Sequence, residues 1–115
     1  MREPIWPDYE HVPFSCTNAI FAYKKKNKLI LATMVRLAVN KEYEYIFNIE
    51  FPEIDHKYLF DSPGVLCKAP SILKSENMHE KIEAISKRLK LKNKSVTIRY
   101  CVRKYYNIME WGLMP

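Results

Sequence analysis

The sequence predicts an α+β domain: an antiparallel β-meander of four to five strands, one amphipathic helix over about 75–91, and one C-terminal strand. Three observations lead there. Tyr43, Tyr45, Phe47, Ile49 and Phe51 alternate with Glu44, Ile46, Asn48 and Glu50, the period of a strand with one packed and one wetter face. Met78, Ile82, Ile85 and Leu89 recur at spacings of four, three and four, which draws one apolar stripe along a helix. Val96, Ile98, Tyr100 and Val102 alternate with Thr97, Arg99, Cys101 and Arg103, a second strand period.

Taken in order, residues 1–15 carry three prolines and no periodicity and read as an extended N-terminal arm. Residues 16–115 are of the size of a single domain with one core. Ile20–Lys25 and Leu29–Val39 flank a polar tip, Lys26-Asn27-Lys28, and predict a hairpin. Leu29–Val39 is apolar on both faces, as a central strand is; Leu, Ala and Met also make a buried helix the competing reading. Asn40-Lys41-Glu42 supplies a turn into the Tyr43–Phe51 strand, and Pro52 ends it. His56–Phe60 and Val65–Lys68 read as short strands around Asp61-Ser62-Pro63-Gly64, whose Pro-Gly order suits a type II turn. Ser75 is the expected N-cap of the helix. Only Gly64 and Gly112 are glycines, so positive-φ turns must be few or be made by Asn.

The chain carries a formal charge of +6, unevenly spread. Eight basic residues and no acid fall between Lys87 and Lys104: Lys87, Arg88, Lys90, Lys92, Lys94, Arg99, Arg103 and Lys104. Lys24, Lys25, Lys26 and Lys28 form a second cluster. Cations beside an exposed aromatic, here Tyr105, are what a groove needs to neutralise phosphates and stack a base. The leading expectation is a small non-enzymatic protein whose basic C-terminal face engages nucleic acid through phosphate, with weak sequence selectivity.

Two alternatives use other features. One is a protein-interaction or accessory module, as in viral accessory proteins, whose lysine-rich, glycine-poor composition this chain shares. It would act, as a homodimer or on another protein, through Trp6, Tyr9 and Phe14 of the arm, an exposed sheet edge, or the apolar tail with Trp111. The other is a matrix-type association with an acidic membrane through the same cations.

Cys16, Cys67 and Cys101 form no CxxC or Cys/His cluster, and His11, His56 and His79 stand far apart. No metal, cofactor or catalytic set is therefore expected. An odd number of cysteines, the lack of a signal peptide and an apolar run too short to span a bilayer suggest a cytoplasmic or nuclear protein.

Overall fold

The computed structural model describes residues 8–60 and 64–109; Trp6, Trp111 and most of the expected Asp61–Gly64 turn lie outside them. Strand β1 (Tyr9–His11) is followed by helices α1 (Asn18–Lys26) and α2 (Leu31–Asn48). Strand β2 (Ser71–Leu73) then precedes α3 (Met78–Arg88) and α4 (Lys94–Tyr106). Short 3-10 turns lie at His56–Tyr58 and Lys74–Glu76. The meander is thus overturned: the domain is mostly helical, and its described sheet has two antiparallel strands, pairing Tyr9 with Leu73, Glu10 with Ile72 and His11 with Ser71.

The expected hairpin and the strand after it are two helices, and the period explains the error. Along α2 the buried residues are Leu31, Met34, Val35, Ala38, Val39, Glu42 and Ile46, steps that follow a helix face. Val35 and Ala38, which a strand would point to opposite faces, lie on that one stripe. A carboxylate, Glu42, occupies one core position and interrupts the hydrophobic count. Tyr43 and Phe47 share a face because they are one turn apart, with ring centroids 4.7 Å from each other.

The expected C-terminal strand is α4. Thr97, Ile98, Tyr100, Cys101, Val102 and Arg103 are all buried in it. A helix covered on most sides loses its amphipathic signature, and its β-branched residues then imitate a strand. Its start is fixed locally: Asn93 is the N-cap, its side-chain oxygen accepting from Val96 N at 2.9 Å. His56–Phe60 contains only a 3-10 turn, and next to Val65–Lys68 a single bridge joins Gly64 to Thr17. The expected helix begins later and ends earlier, at Met78–Arg88, with Asn77 rather than Ser75 as N-cap; Met78, Ile82, Ile85 and Leu89 are buried.

Side-chain contacts give the directions. Lys81 Nζ donates to Asn40 Oδ1 at 2.7 Å, and Arg88 Nη2 donates to Glu50 O at 2.6 Å, so α2 and α3 run the same way. The long connection 49–77 makes this possible. Lys104 meets Glu42 while Tyr100 OH accepts from Asp55 N at 2.8 Å, so α4 runs against α2. Tyr23 packs on Tyr106 at 5.3 Å and Ser15 O accepts from Arg99 Nη1 at 3.2 Å, so α1 runs with α4. Met34, Val35, Val39, Ile82, Ile85, Ile98 and Val102 fill the space between helices, each contributing ~1.5–3 kcal/mol on burial. Val12 and Ile72 close it beneath the small sheet. Among the described residues no helix is long and apolar enough to cross a membrane.

Candidate functional site

The helix directions place the two lysine clusters at opposite ends of the bundle. Lys94 begins α4, whereas Lys26 lines one cavity with Asn107 and Met109, just past its other end. With 13 residues in α4, at ~1.5 Å of rise each, the clusters are about 20 Å apart.

The α3–α4 turn is built by a helix end of Schellman type. Lys90 N donates to Lys87 O at 3.3 Å and Leu91 N to Ser86 O at 2.8 Å. Buried Leu89 and Leu91 pin the turn from inside, so Lys90, Lys92 and Lys94 project into water. Lys94 lies at the positive end of the α4 dipole, which disfavours a cation unless an anion is near. Lys87, also exposed, pairs with Glu83 at 3.3 Å, a surface contact of little strength.

The α1–α2 turn repeats the geometry. Lys28 N donates to Lys25 O at 3.3 Å and Leu29 N to Lys24 O at 2.9 Å. Lys24 and Lys25 hold their ammonium groups 5.6 and 5.7 Å from the centre of the Phe21 ring. Lys25, Lys26 and Lys28 are exposed. No carboxylate of the described residues forms an ion pair with Lys24, Lys25, Lys26, Lys28, Lys90, Lys92 or Lys94.

Both turns also share a backbone feature. Lys28 and Lys90 have φ of 53° and 56°, the left-handed region that costs a side-chain-bearing residue about 1 kcal/mol or more. Asn77 and Asn107 are the other positive-φ residues described, as the shortage of glycine suggests.

The remaining basic residues are engaged within the fold. Arg88 clamps the end of α2 through the carbonyls of Ile49 and Glu50. Arg99 donates to Ser15 O and, at 2.9 Å, to Ser95 Oγ. Arg103 is 1% exposed; its Nη1 donates to Phe60 O at 2.9 Å, and its guanidinium carbon lies 4.0 Å from the centre of the Phe60 ring. Lys104 is held by Glu42 and the Tyr45 ring. Tyr105 is exposed but sits at the far end of α4 from Lys94, edge-on to Tyr106. The sequence therefore reads the density of charge in this stretch but not how much of it faces solvent.

Of the partner-binding candidates, Tyr9 lies half-exposed in β1 and Phe14 packs against the core. Two of the histidines serve structure: His79 Nε2 lies 2.9 Å from His11 O, and His11 Nδ1 lies 3.2 Å from Ser71 Oγ; His56 is exposed. Cys101 is buried, and its thiol is pushed up by that burial and then by the nearby Glu42 carboxylate, the reverse of an activated nucleophile. The described residues contain no cluster of His, Cys, Asp and Glu able to hold a metal.

Four exposed apolar residues carry no signal in the sequence. Ile30, Leu66, Phe47 and Phe51 project from the surface, and only the placement of the helices reveals them. No family model, no curated protein and no solved structure matches this chain.

Proposed function

We propose that this is a non-enzymatic nucleic-acid-binding protein that grips phosphates with its α3–α4 turn. Lys90, Lys92 and Lys94 are the principal contacts and Lys87 extends them. One observation carries the reading. The turn holds a lysine, Lys90, in the left-handed conformation that glycine would adopt at lower cost, and it is flanked by exposed lysines with no carboxylate partner among the described residues. A turn optimised for stability alone has no reason to carry them.

Selectivity for sequence is weak on this reading. Lysines are point charges, and base readout needs positioned polar groups. The nearest amide oxygen, that of Asn93, is already occupied by the cap of α4.

The test is fluorescence anisotropy with labelled oligonucleotides over a range of salt. Four phosphate contacts predict a slope of log K against log[salt] of roughly −3 to −4. The variant Lys90→Glu/Lys92→Glu/Lys94→Glu should lose binding while its thermal melt does not fall, because all three side chains are exposed and an acid at position 94 suits the positive end of the α4 dipole. Retained affinity in that variant overturns the reading.

A further inference from the structure

We infer that the opposite end of the molecule is a docking surface for an anionic lipid bilayer, built from the α1–α2 turn and the segment 64–70. That segment is held at both ends. Val65 N donates to Cys16 O at 3.0 Å, and Pro70 O accepts from Val12 N at 2.9 Å. Between these anchors Leu66, Cys67 and Lys68 stand out from the domain, and Leu66 is fully exposed, at 102%. Across from them Ile30, at the start of α2, is 68% exposed.

A groove of about 380 Å³ joins the two segments; Phe21, Ile30, Leu31 and Pro70 are among its apolar walls, and its charged lining is Lys24 and Lys68. Lys25 holds its ammonium 5.7 Å from the centre of the Phe21 ring at this wall, and exposed Lys28 follows it in the α1–α2 turn. No Asp or Glu lines it.

The combination selects the partner. Projecting aliphatic side chains favour entry into a hydrocarbon boundary, and a surrounding collar of lysines favours acidic headgroups. Nucleic acid offers no use for Ile30 and Leu66, since aliphatic side chains give bases no ring to stack on. The other large apolar exposure, Phe47 and Phe51, is interspersed with Glu44, Glu50 and Glu53, which repel an acidic surface. Among the described residues, only the Ile30–Leu66 end couples strongly exposed aliphatics to positive charge without an ion-paired carboxylate.

Vesicle sedimentation tests this, with the full chain and mixed phosphatidylcholine–phosphatidylserine vesicles against pure phosphatidylcholine. Binding is expected only to the mixed vesicles. Lys25→Gln/Lys28→Gln should weaken it roughly 25-fold, at about fivefold per lysine, and Ile30→Ser/Leu66→Ser should weaken it by about tenfold or more. Lys90→Glu/Lys92→Glu/Lys94→Glu should leave it unchanged, which separates this surface from the nucleic-acid reading. A polarity-sensitive fluorophore on Cys67 supplies a second readout and should shift to the blue on the mixed vesicles. Failure of the wild type to sediment with them overturns the proposal. So does wild-type binding by both the lysine and the aliphatic variants, and so does a loss confined to oligonucleotide affinity when Lys25 and Lys28 are replaced.

Discussion

Lys104 Nζ lies 3.0 Å from Glu42 Oε1 and 3.2 Å from Glu42 Oε2, joining α4 to α2 through a carboxylate whose side chain is 5% exposed. The pair is asymmetric, because the Lys104 side chain is 27% exposed and reaches water. Burial pulls the Lys104 pKa down, but the hydrogen bond and charge of Glu42 outweigh it and leave it raised.

That asymmetry predicts unequal mutants. Lys104→Met strands Glu42 as an unpaired buried charge and should cost about 3 kcal/mol. Glu42→Gln keeps an acceptor for Lys104, whose charge stays solvated, and should cost ~1 kcal/mol. Urea denaturation of both, and of the double variant, measures the coupling; equal losses would remove the asymmetry.

Arg103 is the clearest case of a cation assigned to a surface and found in the core. Arg103→Ala should lower stability by about 3 kcal/mol, through lost packing on Phe60 and stranded carbonyls at Tyr58 and Phe60. Arg103→Lys should also destabilise, since an ammonium does not reproduce the planar fork. Below its melting temperature the lysine variant should bind oligonucleotides as the wild type does. A weaker affinity in the folded variant would place Arg103 at the interface instead.

These two residues also explain what the sequence concealed. The α3 stripe was legible because its buried positions are all apolar and its outer face is polar. In α4 the stripe includes Thr97 and Arg103 and burial extends nearly all round, which erases the helical period; in α2 the period is present at Leu31, Met34, Val35, Ala38 and Val39, but Glu42 breaks it and the alternation of Tyr43, Tyr45 and Phe47 overlies its second half. The wrong assignment to strands followed. The charge clusters were legible as composition. Which cations stay free was not, because their partners are remote: Glu42 is 62 residues from Lys104, and the Glu50 carbonyl 38 from Arg88. Local signals mark the element ends all the same: Asn93 caps α4, and Asn77 and Asn107 take the positive φ that glycine would otherwise supply.

Thiol chemistry should divide the cysteines. Cys67 is exposed and Cys16 and Cys101 are buried. In native buffer a chromogenic disulfide reagent should react rapidly with one thiol, and in urea with all three. Rapid native reaction of a second thiol would show that α4 or the Cys16 segment opens readily.

Stability should fall in alkali. Burial, as the leading cause, raises Cys101 and Tyr100, and Lys104 is raised by Glu42. Each group binds its proton more tightly folded than unfolded, so its contribution is complete below the unfolded pKa and is lost as pH rises towards the folded one. The unfolded values are about 8.5 for Cys, 10 for Tyr and 10.4 for Lys. Urea midpoints should therefore decline from about pH 8.5, by up to ~1.4 kcal/mol per pH unit for one group, and more steeply above about pH 10. Cys101→Ala should flatten the first part of the decline and keep the second. A wild-type profile level to pH 10 contradicts the cause assigned to Cys101.

The left-handed lysines give the sharpest contrast between stability and binding. Lys28 and Lys90 each close a helix end where glycine would fit without strain, so Lys28→Gly and Lys90→Gly should each raise stability by about 1 kcal/mol. Natural chains keep such residues when the side chain does something the fold does not need. Lys90→Gly should therefore weaken oligonucleotide binding and reduce the salt slope by about one, with vesicle binding unchanged. Lys28→Gly should do the reverse. Denaturation curves and the two binding assays on the same pair of variants decide it. A stabilised protein with full binding at both ends would mean that these lysines are there by chance, and the argument from backbone strain to function would fall.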